Sequence, residues 1–274
     1  DIGMETGDIE HSGAIVVPGD VQPGFTVSAG GDIEVRGIVD NASIVCGGNL
    51  SVRGGITGSA KRSVKVAGGI HARFLLNANI EAGGDVVVEN EIVNSTIQTQ
   101  GAVIMPGGRL IGGETIALGG ILVGQLGSES GTPTSVAAGV DYKLQQKIDE
   151  KQQKIKEIQA GLEFVQKKID DFMSRQKQLT HEQREACTEL MMKAAEIEEG
   201  REEIENEIRE LKSESRALAN SKILIRDVIY SETTLRIEDA VFRTPAQARG
   251  PLHAFIGEDG SIEVKIVRAA KLKL

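Results

Sequence analysis

The side chains best suited to catalysis or metal binding, four histidines and two cysteines, lie far apart in the sequence. His71 is the strongest catalytic candidate, because it lies in a repeated unit and some solenoid acyltransferases use a catalytic histidine. Those enzymes have a six-residue period, which is missing around His71, so we expect a histidine on the protein surface. Cys46 and Cys187 have no activating neighbour in the sequence and are predicted to be small buried residues. The sequence predicts no catalytic residue.

Aspartates that follow glycine pairs raise two further possibilities, calcium binding and polysaccharide cleavage. Asp32 and Asp85 occupy equivalent positions in two copies of a repeat, so stacked copies would place them in one column. Calcium-binding nonapeptide repeats have a nine-residue spacing, whereas the glycine pairs here start 12 to 24 residues apart. Asn49, Ile70 and Arg109 occupy the same position in other copies, so no close carboxylate pair is predicted. Aspartate at such a corner is typical of a turn, and we predict no metal site.

The segment 119–124 has glycines spaced as in a phosphate-binding loop. It lacks the lysine and hydroxyl residue of such loops and precedes no predicted helix, which favours a simple chain corner. Aromatic residues make up only 3% of the chain, without any Trp, so ring surfaces for binding nucleotides or sugars are scarce. We therefore predict no bound cofactor.

The charge of the chain restricts the classes of partner. A net charge of −9 and a pI of about 5.1 argue against general binding to nucleic acid or to anionic membranes. No run of 18 apolar residues is present, so no membrane span is predicted. Two distant cysteines fit a reducing compartment. Because the chain begins at Asp1 without a signal peptide, we expect a fragment of a longer protein.

Composition divides the sequence into three predicted domains. Residues 1–139 hold 28 of the 33 glycines and predict a glycine-rich parallel β-helix. Residues 140–222 have 35 charged positions out of 83 and predict an antiparallel coiled-coil helical hairpin. Residues 223–274 are again rich in β-branched side chains and predict strands that extend or cap the β-helix. The predicted fold class is mainly β with a long α insertion.

The first domain is built from a repeated unit, a Gly-Gly pair followed by two apolar residues separated by one position. Residues 30–35, 47–52 and 83–88 are its clearest copies. Each copy predicts a short strand with one buried face, and we expect the glycine pair to form a corner with positive φ. One copy cannot bury its apolar face alone, so the copies must stack into about seven coils. A β-sandwich with glycine-rich turns is the alternative. The predicted inward-facing residues are Ile33, Val35, Ile44, Leu50, Val52, Val64, Val66, Ile80, Val86, Val88, Ile97, Ile116 and Leu118.

The hairpin is predicted from two runs of apolar residues at coiled-coil spacing. The first run comprises Leu144, Ile148, Ile155, Ile158, Leu162, Val165, Ile169 and Phe172. The second comprises Cys187, Leu190, Met191, Ala194, Ile197, Ile204, Ile208, Leu211 and Leu218. Thr180 and Gln183 fit a capping box at the start of the second helix. The arms carry net charges of +3 (142–178) and −6 (182–216), so they should attract each other.

Two features of the hairpin could serve binding. Its tip and its acidic arm give the candidate partner-binding residues Gln178, Thr180, His181, Glu182, Glu199 and Glu203. Mid-helix Gly161 and Gly200 lie at similar distances from the tip and could face each other, which would allow the helices to approach closely or to bend. The hairpin could also pair with a second copy of the chain, so a homo-oligomer stays open.

The last domain contains four predicted strands and one turn signal. The strands are 223–225, 234–237, 252–256 and 262–266, and the turn is 258–261. Solenoid ends expose strand edges and core, so we expect these strands to cover one end.

The order of these parts resembles the C-terminal region of the bacterial flagellar assembly protein A family. The resemblance spans residues 1–268 and depends on the order β-helix, hairpin and short β-tail, since Gly-Gly-Asp repeats alone also occur in bactofilins. It implies a right-handed β-helix in a cytoplasmic, non-enzymatic protein that supports assembly of the polar flagellum. It also implies flagellar assembly factors and the glucose-specific IIA component of the sugar phosphotransferase system as partners, with recruitment to the cell pole.

Three classes of function follow from these patterns. The main prediction is a scaffold, in which the β-helix is a rigid platform and the hairpin reaches a partner. The second is a bactofilin-like cytoskeletal filament, formed by end-to-end stacking of β-helices. The third is a β-helix enzyme, either an acyltransferase or a polysaccharide lyase.

Overall fold

The computed structural model describes residues 1–59, 61–174, 180–217 and 222–267. The chain divides into two compact units, one formed by Asp1–Tyr142 with Leu218–Leu274 and the other by Lys143–Ala217. The division of the sequence into three domains remains a prediction.

The first unit is a stack of short strands joined at corners, one coil upon the next. The strands before the helices are β1 (Ile9–His11), β2 (Ile15–Val17), β3 (Thr26–Ala29), β4 (Ile33–Val35), β5 (Val39–Asp40), β6 (Ser43–Cys46), β7 (Leu50–Val52), β8 (Ile56–Thr57), β9 (Val64–Val66), β10 (Ile70–Leu76), β11 (Asn79–Ala82), β12 (Val86–Thr99), β13 (Val103–Ala117), β14 (Ile121–Leu126) and β15 (Thr134–Ala138). Those after the helices are β16 (Ile223–Ile229), β17 (Thr233–Ile237), β18 (Ala240–Arg243), β19 (Ala248–Arg249), β20 (Leu252–Ile256) and β21 (Ile262–Ile266).

Parallel pairing in register carries equivalent side chains from coil to coil. One ladder runs through β2, β4, β7, β10, β12, β13, β14 and β16. Its buried column is Ile33, Leu50, Ile70, Val86, Val103, Ile121 and Ile223. Aliphatic residues of this kind fill a narrow interior without voids. The structure is therefore a β-solenoid of about seven turns, as predicted, and the β-sandwich alternative is wrong.

The predicted inward-facing residues lie in the core with two exceptions, Ile116 and Leu118. The backbone of Gly113 is left-handed (φ 76°) and turns the chain at a corner within β13. After this corner the alternation of inward-facing and outward-facing side chains is shifted by one residue. Thr115, and not Ile116, therefore pairs with Ile97 and continues its buried column. Ile116 is buried in a separate cluster outside the main core, and Leu118 is half-buried.

For the glycine pairs of the repeat, which start at 30, 47, 68, 83, 107 and 119, the predicted positive φ is wrong for every residue except Gly120. Most residues of these pairs are glycine because successive coils approach closely there. A Cβ on Gly47 would lie 2.3 Å from the carbonyl oxygen of Gly30 in the preceding coil. The left-handed backbone instead occurs at asparagines such as Asn41 and Asn77, with φ of 42° and 50°. Asparagine tolerates this conformation better than most residues.

The aspartates of the repeat connect each coil to the next. Oδ1 of Asp32 accepts a hydrogen bond from the backbone N–H of Asn49 at 2.7 Å. Oδ1 of Asn49 accepts one from Gly69 at 2.9 Å, and Oδ1 of Asp85 accepts one from Ala102 at 2.8 Å. Aspartate and asparagine therefore play equivalent parts at these corners.

The strands after the helices both extend and cap the solenoid. β16 and β17 continue the parallel ladders of β14 and β15. β18 to β21 instead pair antiparallel, and Leu252, Ala254 and Ile262 join the core. The four predicted strands are confirmed, whereas β18 and β19 were not predicted.

The second unit consists of two helices, α1 (Tyr142–Ser174), whose first residue belongs to the first unit, and α2 (His181–Ala217). Lys151 of α1 forms an ion pair with Glu207 of α2. Lys151 lies 23 residues before the end of α1 and Glu207 lies 26 residues after the start of α2, so the helices run antiparallel. Coiled-coil packing remains a prediction. Met191 and Ile197, predicted in the contact between the helices, are 49% and 39% exposed. Within the described ranges, no helix is long and apolar enough to cross a membrane.

Candidate functional site

The residues considered for catalysis are not arranged as an active site. The side chain of His71 is 52% exposed, and its Nε2 atom lies 3.8 Å from Oε1 of Glu89 on the solenoid surface. Cys46 is buried and donates a weak hydrogen bond to the carbonyl of Gly31, and burial raises the pKa of its thiol. Cys187 is also buried, as predicted. In the part of the chain that the structure describes, no three His, Cys, Asp or Glu residues group as a metal site.

The hairpin tip contains the predicted capping box. The backbone N–H of Thr180 donates to Oε1 of Gln183 at 3.0 Å, and that of Gln183 donates to Oγ1 of Thr180 at 3.3 Å. These bonds satisfy donors that a helix start would leave unpaired, so α2 begins at His181. Glu182 in the first turn complements the positive end of the helix dipole. Gln178 lies outside the described residues.

One face of α2 carries most of the remaining candidates. Its members are exposed and recur every three or four residues, which places them on one side of a helix. We call this surface the outer α2 face, and its residues are His181, Glu185, Glu189, Met192, Glu196, Glu199, Glu203, Glu207 and Glu210. The structure therefore brings His181, Glu199 and Glu203 onto one surface. Thr180 and Glu182 are exposed beside it but lie outside this spacing.

In the described part of the chain, the ion-pair contacts of the outer α2 face lie towards its two ends, and Lys193 also interacts with Glu196 at longer range. His181 lies 3.4 Å from Glu185, and Lys193 lies 2.7 Å from Glu189 and lowers the pKa of that carboxyl through its hydrogen bond. At the other end, Glu207 has Lys151 as its ion-pair partner. Among the described residues, the carboxylates between these ends have no ion-pair partner. These central residues are Glu196, Glu199 and Glu203.

Arg201 forms ion pairs with two carboxylates of α2 that lie outside this surface. It forms ion pairs with Glu198 and Glu205 on the same helix, and its side chain is only 20% exposed. The charge of those two glutamates is thereby compensated locally. Of the exposed carboxylates in this part of α2 that form no ion pair among the described residues, Glu196, Glu199 and Glu203 lie on the outer α2 face and Glu202 lies beside it.

An apolar side chain lies within the acidic surface. Met192 is 69% exposed and lines a shallow open depression with His181, Arg184 and Glu189. Methionine adapts its shape to different contacts and is common at binding surfaces. This arrangement can bind a basic surface that also offers an apolar contact. Sequence reasoning missed Met192, although its spacing from Glu189 and Glu196 was a usable signal.

Comparison with known families adds an independent observation. The family model described as the Flagellar Assembly Protein A beta solenoid domain matches residues 1–262. The match includes the solenoid, both helices and the capping strands β18 to β20, and it ends at the first residue of β21. No curated protein and no solved structure gave a significant match. Because the family model covers nearly the whole chain, the protein belongs to the flagellar assembly protein A family.

Proposed function

We propose that this protein is a non-enzymatic scaffold that supports flagellar assembly, and so motility, by binding other proteins. Family membership supports the link to flagellar assembly. The outer α2 face supports the binding part, because its central glutamates are exposed and have no ion-pair partner among the described residues. This negative surface, whose central glutamates form no ion pair among the described residues, is the observation that carries the proposal.

The partner chemistry follows from this surface. Negative charge attracts and orients a positively charged partner, and exposed Met192 offers an apolar contact beside it. The partner is therefore a protein with a basic, partly apolar surface. Flagellar assembly factors and the glucose-specific IIA component, which the family resemblance implies as partners, are the candidates to test for such a surface. The protein would act in the cytoplasm and be recruited to the cell pole.

Two observations favour binding over the alternative functions. Asp32 and Asp85 each use an oxygen to hold the next coil, which leaves them poorly suited to cleave a polysaccharide. The antiparallel strands β18 to β21 cover one end of the solenoid. Open filament growth by coil-on-coil stacking needs both ends, so the cap argues against it.

The proposal is tested by reversing the charge of the central glutamates. The triple variant Glu196→Lys, Glu199→Lys and Glu203→Lys is expected to weaken binding to purified glucose-specific IIA component or assembly factors by at least about tenfold. It should also reduce swimming when it replaces the native gene. Binding is measured by titration calorimetry, and motility in soft agar.

A matched control reverses the same number of charges on α1. It replaces three exposed glutamates of that helix, through the substitutions Glu150→Lys, Glu157→Lys and Glu163→Lys. The control should bind and swim like the native protein. Equal losses in both triple variants would contradict a specific site on the outer α2 face. Normal swimming of a strain that lacks the gene would contradict the proposed function itself.

A further inference from the structure

We infer that the hairpin formed by α1 and α2 contains a joint at its midpoint, where Gly161 and Gly200 lie. Both residues are in helix interiors, where glycine lowers stability by about 1 kcal/mol relative to alanine. A glycine in a helix is often explained by a close neighbour that leaves no room for a side chain. That explanation does not apply here.

Both glycines have open space around them. A Cβ atom built on Gly161 or on Gly200 would meet no atom within 4 Å. The expectation that the two glycines allow close approach of the helices is therefore wrong. Their remaining physical effect is to weaken the helical backbone locally, because glycine has more conformational freedom to lose on folding.

The glycines lie midway between two layers of buried contacts. Ile148 and Ile208 are 3% and 7% exposed and form one layer, and Ile169 and Cys187 are 5% and 6% exposed and form the other. The midpoints between these layers fall about three residues from each glycine. Between the layers, residues 149–168 of α1 and 188–207 of α2 include no fully buried side chain. Packing is tightest at these two layers. Between them the facing apolar side chains, such as Ile155 and Ile204, are only half-buried, and the Lys151–Glu207 ion pair is an additional link between the helices.

The contact between the helices is also weak next to Gly200. Ile197, predicted to pack there, is 39% exposed. Arg201 follows Gly200, and its ion pairs with Glu198 and Glu205 remain within α2. They stabilise α2 but add nothing to its contact with α1. By the two layers, the glycines lie about five residues apart along the hairpin, one on each helix. Together they give a short region in which the tip half of the hairpin can move relative to the other half.

This joint has a consequence for recognition that depends on the proposed function. It divides the outer α2 face into a part before Gly200, with Glu185 and Glu196, and a part after it, with Glu203 and Glu210. Movement at the joint would change the curvature of the acidic surface and fit it to a partner. The joint itself needs no partner to be observed.

Hydrogen exchange of the intact protein tests the joint directly. Amides of residues 157–165 and 196–204 should exchange faster than those around the two buried layers, because local opening is easiest where packing and propensity are weakest. The double variant Gly161→Ala and Gly200→Ala should slow exchange in these two segments by about fivefold or more each, which corresponds to about 1 kcal/mol.

The control variant Ala186→Gly introduces the same penalty near the tip layer, at an exposed position. It should speed exchange around residue 186 and leave residues 157–165 unchanged. Uniform protection along both helices of the native protein would overturn the inference. An even slowing along the whole hairpin in the double alanine variant would also overturn it.

Discussion

The hydroxyl group of Tyr142 donates a hydrogen bond to Oε1 of Glu81 at 3.3 Å and so joins residues 61 positions apart. Glu81 projects from β11, and its other oxygen lies 3.4 Å from Nζ of Lys65 on the preceding coil. Tyr142 is 2% exposed and packs with Ile116 and Val140 outside the solenoid core. Burial and then the charge of Glu81 raise the pKa of Tyr142. This contact fixes the chain on the solenoid surface where α1 begins.

Substitution of Tyr142 should separate the effect of its ring from that of its hydroxyl. Tyr142→Phe keeps the ring and loses one hydrogen bond, so the free energy of unfolding should fall by about 1 kcal/mol. Tyr142→Ala also removes the buried ring and should lower it by about 3–5 kcal/mol. Denaturant unfolding measures both values. Equal losses in the two variants would mean that ring packing contributes little at this site.

The sequence predicts the solenoid well because its signal is local and repeated. Alternating residues such as Ile33 and Val35 are buried as expected. It fails at Ile116, because the left-handed corner at Gly113 shifts the alternation by one residue and directs this side chain toward Tyr142, outside the solenoid core. No local pattern reveals this pairing, because the apolar character of Ile116 fits either side of the strand.

The candidate site was only partly predictable for a related reason. The negative charge of Glu199 and Glu203 is visible in the composition of α2. Whether a particular glutamate is neutralised depends on neighbours one turn away or on the other helix, as with Lys151 and Glu207. Spacing alone places Glu196 on the same face, but the absence of an ion-pair partner for it among the described residues is a property of the folded chain.

The hydrogen bond from each coil to the next predicts a specific difference between two substitutions of Asp85. Asp85→Ala removes the acceptor of the Ala102 N–H, and we expect a loss of about 1–2 kcal/mol in the free energy of unfolding. Asp85→Asn should be nearly neutral, because Asn49 already fills this role for the N–H of Gly69. Chemical denaturation of both variants is the measurement. An equal loss for the asparagine variant would show that the negative charge of the carboxylate is needed, and that an oxygen able to accept the hydrogen bond is not sufficient.

Two glycines of the repeat should respond oppositely to alanine. Gly47→Ala places a Cβ atom 2.3 Å from the backbone oxygen of Gly30, which cannot move without displacing its coil. We expect a loss of about 1–3 kcal/mol, as in other overpacked sites. Gly107 also belongs to a Gly-Gly pair, but a Cβ there meets nothing within 4 Å and its φ is not positive. Gly107→Ala should be neutral or slightly stabilising. Thermal unfolding compares them, and similar losses would contradict close coil approach as the reason for Gly47.

His253 in the cap predicts a loss of stability in mild acid. Its Nε2 atom is buried without a hydrogen-bond partner among the described residues, and on the neighbouring strands it pairs with Leu224 and Lys265. Burial and then the positive charge of Lys222 lower the pKa of His253 below the ordinary imidazole value of about 6.5.

The sign of the pH effect follows from that direction. As the pH falls below about 6.5, the unfolded chain takes up a proton at this position before the folded chain does, which favours unfolding. The contribution of neutral His253 is therefore complete above this pH and is lost as the pH falls below it. The melting temperature should decrease between pH 7.5 and 5.5, and His253→Gln should reduce this decrease. His71→Gln, which changes an exposed histidine, should retain the full decrease. If His71→Gln removed the decrease and His253→Gln did not, the buried histidine would not be the source of the pH dependence.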